Sequence, residues 1–293
     1  MLKKYLLLLI TGIIFGSQFI ITKYAIEGYT PLEVGVARVV FGMIALVLFA
    51  PLFTRQKQKL SIPWYSYALI GFLEGTLPCF LVSWGQQQVK TGIAAVIIST
   101  MPIFAMIFGP IFIKNEKFRW VYLVSIIAGF VGVCILINPG MQGYSMQGLL
   151  PEVAILVASA SWALSLVFIK RLPSINPFIL TRNILIAASI EIIPIWLVFG
   201  EPIQLHFALI PLVNAILLGV LSSGLVYIFY VLLIRLSGVN FAAFSNYLVP
   251  IVGGFIGIVF LKEKVTTQEI IGFIIIVFAL LFLTFYEHRT ATK

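Results

Sequence analysis

The sequence contains no aspartate, and only 10% of its 293 residues are charged. A soluble domain carries roughly 25% charged residues. Hydrophobic residues make up 61% of the chain, which is more apolar surface than a globule of this length can bury. A lipid bilayer is the solvent that suits such a composition, and helices satisfy their own backbone groups in lipid. We therefore predict an all-α integral membrane protein.

Side chains that serve catalysis or bind metals are also scarce. The two cysteines, Cys79 and Cys134, lie in apolar runs, and their spacing matches neither a disulfide framework nor a metal site. The two histidines, His206 and His288, lie in polar ends. Because a membrane-embedded protease or lipid transferase needs aspartate pairs, a histidine base or a metal cluster, we expect no enzyme, no cofactor and no metal. A scaffold or lipid-interaction protein stays open as a non-enzymatic alternative.

Long apolar runs fill most of the chain. A helix that crosses a bilayer needs about 20 mainly apolar residues. Polar clusters, Pro and Gly divide the sequence into ten such candidates joined by short connections, so we predict ten transmembrane helices. The predicted spans are 4–24, 31–53, 64–86, 91–113, 119–138, 148–170, 177–199, 211–234, 240–261 and 268–286.

The distribution of Lys and Arg predicts the orientation in the membrane. With the N-terminus in the cytoplasm, thirteen basic residues fall on the cytoplasmic side and four on the outer side. Ten spans return the C-terminus to the cytoplasm, so we predict a multi-pass protein of the cell membrane with both termini cytoplasmic. The basic residues sit in short clusters between apolar runs. That pattern indicates loops beside a lipid bilayer rather than a surface for nucleic acid.

The two halves of the chain repeat. Residues 15–23 align with residues 162–170, and Gly71 corresponds to Gly219, at an offset close to 147. Five helices per half is an odd number, so the second copy must be inverted in the membrane. Two inverted five-helix repeats are typical of transporters, which bind substrate near the midplane where the halves meet. The predicted repeats are 1–145 and 146–293.

The repeated residues resemble the EamA-type family of the drug/metabolite transporter superfamily. Each repeat of that family opens with a small-Trp-Gly-like turn that ends in Lys. It then has an Arg early in the second helix, a Pro in the fourth and a Gly-Glu-Lys-like stretch. The matching residues are 15–23, Arg38, Pro102 and Glu116–Lys117 in the first copy, and 161–170, Arg182, Pro250 and Glu263–Lys264 in the second.

The resemblance implies a central cavity lined by helices 1–4 and 6–9. It also implies carriage of amino acids, other metabolites or drugs without ATP hydrolysis. Two residues depart from the family pattern: Phe15 stands where Trp is usual, and Glu74 is not part of the general pattern. Both departures leave the class of substrate open.

Glu74 is the first candidate for a functional residue. It lies near the middle of the third predicted helix, where a charge costs about 2.5–3.5 kcal/mol on insertion scales. Pro78 removes a backbone donor and clashes with the carbonyl four residues earlier, which is that of Glu74 itself. A carboxylate beside a freed carbonyl suits a proton or cation site. The alternative is a protonated Glu that is hydrogen-bonded between helices.

Three further charged residues lie inside predicted spans. Arg38 and Arg182 hold matching places in the two copies, where an Arg can extend to the interface or bind a substrate carboxylate with two hydrogen bonds. Structural pairing is the alternative, and Glu33 is a nearby candidate partner for Arg38. Glu191 in the seventh helix is a candidate second site, against an interfacial or structural role.

Polar residues on other helices are candidates to line the cavity. The matching first and sixth helices carry Gln18, Ser17, Ser161 and Ser165. A Ser hydroxyl can also bond to its own helix or pack against another, which is the alternative role. Asn246 precedes Pro250 by four residues, so its carbonyl is freed as well. The third and ninth helices are therefore candidates for local breaks, which often provide ligand groups in transporters.

Aromatic residues suggest a second kind of site. Five of them lie in or beside the helices predicted to form the cavity, namely Trp84, Trp162, Tyr227, Tyr230 and Tyr247. Together with Glu74 they could form a cage for an organic cation through cation–π contacts. Packing in the protein and interfacial belts are the alternative roles of such residues.

The leading hypothesis is a secondary active transporter that works by alternating access. Its expected substrate is a small organic metabolite, an amino acid or a related compound, moved outward across the cytoplasmic membrane. The alternative is a proton-coupled carrier of organic cations, quaternary amines or drugs. The sequence leaves proton coupling and a homodimer open.

Overall fold

A computed structural model gives the fold of the chain. It describes residues 2–53, 62–89, 94, 97–114, 120–137, 146–200 and 208–252, together with residues 267, 270–272, 274–276, 278, 279, 282 and 286. All regular structure in these ranges is helical. The prediction of an all-α protein is therefore confirmed for the part of the chain that the structure describes.

Nine helices can be followed in the described ranges, and residues 94, 97 and 98 and the described residues between 267 and 286 are also helical. The helices are α1 Leu2–Ala25, α2 Pro31–Phe53, α3 Trp64–Gly85, α4 Met101–Phe112, α5 Trp120–Ile137, α6 Met146–Arg171, α7 Pro177–Phe199, α8 Leu209–Ser237 and α9 Val239–Ala243, which a 3₁₀ turn at Phe244–Tyr247 and helical residues 248–252 extend.

Six of these helices are long and apolar enough to cross a membrane, namely α1, α2, α3, α6, α7 and α8. Large apolar side chains on their outer faces, such as Leu48, Leu150 and Leu197, are exposed in the isolated chain. Apolar side chains of this kind are stable in a lipid bilayer and unfavourable in water, so the composition and the fold both indicate a membrane protein.

The helix α4 is shorter than the span predicted at 91–113. A turn at Ser99 and Thr100 precedes it, and Pro102 lies in its first turn, where a missing N–H is harmless.

The second helix of each half begins with a side-chain cap. The Thr30 backbone N–H donates to the Glu33 carboxylate at 2.7 Å, and the Glu33 N–H donates to the Thr30 hydroxyl at 3.4 Å, which is a capping box. At the start of α7, the Asn176 side chain accepts from the Phe178 N–H at 2.9 Å. Glu33 therefore caps its own helix, and the pairing expected between Glu33 and Arg38 is replaced by this role.

Both α3 and α8 contain a π-helical turn near the middle of the helix. The turn in α3 is Phe72–Thr76 and follows Gly71, whereas the turn in α8 is Val220–Leu225 and follows Gly219. A π turn shifts the hydrogen-bond register by one residue and leaves a backbone carbonyl without its usual helical donor. The break expected in the third helix is present. The matching break in α8 was not predicted, because the sequence has no proline at that turn.

The two glycines make equivalent contacts in the two halves. A Cβ atom on Gly71 would lie 3.0 Å from the Ile184 carbonyl oxygen, and one on Gly219 would lie 3.0 Å from the Ala37 carbonyl oxygen. Ala37 and Ile184 are 147 positions apart, which is the offset of the sequence repeat. The contact between α3 and α7 is therefore equivalent to the contact between α8 and α2. The packing of α1 on α8 is likewise equivalent to the packing of α6 on α3, and the corresponding helices α2 and α7 pack on each other.

The equivalence of Ala37 and Ile184 shows that Arg38 and Arg182 are not equivalent positions of the repeat. An offset of 147 pairs Arg38 with Leu185, so Arg182 does not hold the place of Arg38 in the second half. Arg182 is half-buried, and its guanidinium donates to the Asn183 side-chain oxygen at 3.1 and 3.2 Å. Sequence alignment brought the two arginines together because the capped starts of α2 and α7 precede them at similar distances.

The close contact of Gly71 predicts a sharp cost for a single methyl group. We expect Gly71→Ala to lower the stability of the purified protein by about 1–3 kcal/mol, because the added Cβ would lie 2.8 Å from the backbone nitrogen of Ala188. Gly35→Ala is the matched control, since its Cβ would meet its nearest atoms at 3.5 Å, an ordinary contact. Equal melting temperatures for the two variants in detergent would contradict the packing of α3 on α7.

Candidate functional site

A small cavity lies between the helices of the two halves. In its present shape it has room for about one water molecule, so an organic compound enters only if the helices or side chains move. The lining comes from α1, α2, α3, α4, α6, α8 and the 3₁₀ turn after α9. The lining residues are Phe15, Gln18, Arg38, Glu74, Met101, Trp162, Tyr227, Tyr230 and Asn246.

The π turn of α3 presents two backbone carbonyls to α6. Pro78 has no N–H to offer to the carbonyls of Leu73 and Glu74, which lie five and four residues before it. The Ser161 hydroxyl donates to the Leu73 carbonyl at 2.8 Å, and the Trp162 indole N–H donates to the Glu74 carbonyl at 2.9 Å. Two neighbouring side chains of α6 thus satisfy the carbonyls that α3 leaves open, and they tie these two helices together beside the cavity.

The Glu74 side chain is buried at the cavity wall. Its carboxyl oxygen Oε2 accepts a hydrogen bond from the Ser165 hydroxyl, one helical turn along α6 from Ser161. The Tyr227 hydroxyl lies 3.5 Å from the Glu74 carbonyl oxygen. A carboxyl with one hydroxyl donor keeps further acceptor sites, so Glu74 can bind a proton or a cationic group of a ligand.

Arg38 brings a positive charge to the same cavity. Its Nε donates to the Ser223 hydroxyl at 3.1 Å, and its Nη2 lies 3.5 Å from the Ser222 carbonyl oxygen. The guanidinium carbon is 5.6 Å from the ring centre of Trp162, within the range of a cation–π contact. Because a guanidinium has five N–H donors, Arg38 retains donors for an anionic ligand.

Amide and aromatic groups complete the wall. The Asn246 side-chain nitrogen lies 3.4 Å from the Tyr230 hydroxyl and donates to the Ala243 carbonyl at 3.1 Å. The Phe15 ring meets the Tyr230 ring edge-on at a centroid distance of 5.3 Å. The side-chain oxygen of Gln18 is buried and has no hydrogen-bond partner within the described ranges. A ligand N–H or O–H donor would satisfy it, since an unpaired buried acceptor is costly.

Most of the residues singled out in the sequence come together here. Seven of them line the cavity, and Ser165 bonds to the carboxyl of one of these seven. The seven are Glu74, Trp162, Gln18, Arg38, Tyr227, Tyr230 and Asn246.

The remaining candidates are not among the residues that line the cavity. Trp84 is half-buried, and Arg182 bonds to Asn183 as described above. Glu191 accepts from the Thr76 hydroxyl at 2.8 Å. Two residues that line the cavity, Phe15 and Met101, were not predicted as site residues. The position of Met101 at the start of α4, directly before Pro102, was the available signal.

No cluster of three His, Cys, Asp or Glu side chains forms among the described residues. The site therefore offers one carboxyl group, one guanidinium, two amides and an aromatic wall. These groups can recognise a polar organic compound through charge, hydrogen bonds and ring contacts. A buried polar cavity between apolar helices of membrane length is the arrangement of a membrane transport protein.

The chain belongs to the EamA-like transporter family. The family model matches residues 2–138 and matches again at residues 149–285, so the second match begins 147 positions after the first. The resemblance seen in the repeated motifs is therefore confirmed. Because the matches together cover nearly the whole chain, the family, and with it the class of membrane transporters, applies to the protein as a whole.

The names of similar proteins also describe them as transporters. The chain is 25% identical to "Uncharacterized transporter YoaV" of Bacillus subtilis, with 99% of each chain covered. It is 27% identical to "Uncharacterized inner membrane transporter YedA" of Escherichia coli, covering 96% of this chain and 90% of that one. A solved crystal structure superposes with a TM-score of 0.80 over 98% of both chains. At 14% identity, that likeness shows the fold alone.

The hydrogen bond between Ser165 and Glu74 predicts an unequal response of two buried serines. We expect Ser165→Ala to lower the stability by about 1–3 kcal/mol, because a buried carboxyl group loses its hydroxyl donor. Ser189→Ala removes an equally buried hydroxyl that bonds only to the Leu185 carbonyl of its own helix, at 2.8 Å, and serves as the control. Thermal melting of both variants in detergent checks this, and a larger loss for Ser189→Ala would contradict it.

Proposed function

We propose that this protein is a secondary active transporter that moves a small organic metabolite, an amino acid or a related compound, across the cytoplasmic membrane. The presence of a buried carboxyl group and a buried guanidinium in one cavity carries the proposal. Glu74 is suited to an ammonium group and Arg38 to a carboxylate. A zwitterion brings both charges and so offers each of these side chains an opposite charge inside the cavity.

Alternating access is the proposed mechanism. In this proposal the chain crosses the membrane ten times, as two five-helix repeats at 1–145 and 146–293, with the second repeat inverted. The doubled family match, the paired π turns and the equivalent contacts of Gly71 and Gly219 support the repeat. Since each half packs on the other, a rocking of one against the other would open the cavity to one side at a time.

The excess of Lys and Arg in the predicted cytoplasmic loops supports cytoplasmic placement of both termini. Arg235 at the end of α8 donates to the carbonyls of Leu172 and Pro173, at 2.8 and 2.9 Å, on that same proposed side. These bonds join the end of α8 to the connection between α6 and α7. Outward movement of the substrate follows from the resemblance to the family and is part of the proposal.

A proton-coupled carrier of organic cations is the second candidate function. Glu74 and the rings of Tyr227, Tyr230 and Trp162 on the cavity wall favour it. The position of Arg38 weighs against it, because the guanidinium already occupies one face of Trp162 and would repel a second cation there. The zwitterion is the better match to the charges present.

Ligand-dependent melting distinguishes the two candidates. We expect zwitterionic amino acids to raise the melting temperature of the purified protein, because a ligand that binds only the folded state stabilises it by about 2.7 kcal/mol at a hundred times its dissociation constant. Arg38→Met should reduce this effect and Arg182→Met should not. Stabilisation by quaternary amines instead, with no response to amino acids, would favour the carrier of organic cations.

Replacement of Glu74 tests proton coupling. If Glu74 carries the coupled proton, Glu74→Gln should abolish the dependence of transport into liposomes on a pH gradient, because an amide does not titrate. Glu191→Gln is the control, since Glu191 lies outside the cavity and should leave that dependence unchanged. The measurement is uptake of the compound that gives the largest melting shift, with and without the gradient. An intact pH dependence in Glu74→Gln would remove the coupling role.

A further inference from the structure

The two π turns are alike in position but are held by different side chains. Glu74 follows Gly71 by three residues, and Ser222 follows Gly219 by three residues, so their carbonyls are equivalent. The Glu74 carbonyl accepts from the Trp162 indole at 2.9 Å. The Ser222 carbonyl instead faces a nitrogen of Arg38 at 3.5 Å.

The difference comes from one residue in the sequence. Phe15 lies 147 positions before Trp162 and occupies the corresponding place in α1. A phenyl ring has no N–H, so α1 cannot supply the donor that α6 supplies in the other half. In a low-dielectric interior the open carbonyl of a π turn needs a partner. Arg38 of α2, which packs beside this turn, is the side chain that lies against it.

We propose that Arg38 replaces the missing indole as the latch of the π turn in α8, and that an anionic group entering the cavity releases this turn by drawing the guanidinium away. The proposal rests on the cavity being the transport site. It makes Arg38 a positioning residue for α8 in the empty cavity and the anion-binding residue in the occupied one.

The two roles compete for the position of one guanidinium and not for its N–H groups. Two of the five N–H groups contact Ser222 and Ser223, so three remain for a carboxylate that is bound with two hydrogen bonds. Nε of Arg38 is used by the Ser223 hydroxyl at 3.1 Å, and the contact with the Ser222 carbonyl, at 3.5 Å, is at the long limit of a hydrogen bond. A carboxylate that binds the remaining N–H groups draws the guanidinium toward the cavity, and the long contact with the Ser222 carbonyl is the first to break. The Trp162 indole is neutral and has a single N–H, so an anion does not release the turn in α3.

The consequence is an asymmetric response to substrate. The turn in α3 remains tied to α6 through Ser161 and Trp162, whereas the turn in α8 becomes free to move. The movement would begin at α8, which packs on both α1 and α2. Binding and opening are then linked by one side chain, and the link exists only because position 15 is not a tryptophan.

A cycle of variants tests the latch without any transport measurement. The four proteins are the wild type, Arg38→Met, Phe15→Trp and the double variant, compared by melting temperature in detergent. We expect Arg38→Met to lower the melting temperature, and Phe15→Trp to recover at least half of that loss in the double variant while adding little to the wild type. Strictly additive shifts would overturn the latch.

Two further variants keep the test decisive if the larger ring at position 15 disturbs Tyr227 and Tyr230. Arg38→Gln retains a neutral N–H donor and should keep a higher melting temperature than Arg38→Met, whereas equal losses would overturn the latch. Trp162→Phe removes the equivalent donor in the other half. It should also lower the melting temperature, but Phe15→Trp should not restore it, because the two turns are separate.

Hydrogen exchange tests the release. Sodium acetate is the probe, since a small carboxylate demands the least widening of the cavity, and sodium chloride at equal ionic strength is the control. We expect acetate to speed amide exchange in residues 220–226 of the wild type and to leave residues 72–78 unchanged. Arg38→Gln should show no response. If acetate has no effect on α8 in the wild type, release is overturned, while a positive variant cycle would still support the latch and the proposed transport function would stand.

Discussion

A backbone carbonyl inside a membrane protein must find a donor, and this constraint organises the centre of the molecule. The π turns of α3 and α8 each leave a carbonyl open at the middle of the fold. Water is scarce there, so side chains of neighbouring helices supply the donors. Ser161 and Trp162 serve one turn, and Arg38 serves the other. The cavity lies where these helices meet, because the groups that satisfy the turns also form its wall.

A similar constraint applies to the two ionisable side chains that share this cavity. A buried charge without a partner is costly, and Glu74 and Arg38 are both buried. Each is held by hydroxyl groups, Glu74 by Ser165 and Arg38 by Ser223. Each side chain therefore has a partner within the protein, and in the proposed transport site a ligand exchanges these bonds for its own.

Several features could be predicted from residues near one another in the chain. Pro78 predicted the open carbonyl of Glu74, because the effect of a proline is confined to its own helix. The partner of that carbonyl, Trp162, could not be predicted, because it depends on how α6 packs on α3. The hydrogen-bond partner of Arg38 could not be predicted for the same reason. Its neighbour Glu33 looked like a partner, but Ser223, which bonds to it, is 185 positions away. The π turn of α8 contains no proline and left no local signal.

The sequence by itself determined that the chain is helical, belongs in a membrane and resembles the EamA-type transporters, because composition, run length and repeated motifs are properties of order along the chain. The tertiary structure alone decided which of the candidate residues meet. It brought Glu74 and Arg38 to one cavity, left Trp84, Arg182 and Glu191 out of its lining, and gave the two π turns different partners. The physical reason is that helix crossings depend on contacts between close-packed surfaces, such as those of Gly71 and Gly219, that no single segment encodes.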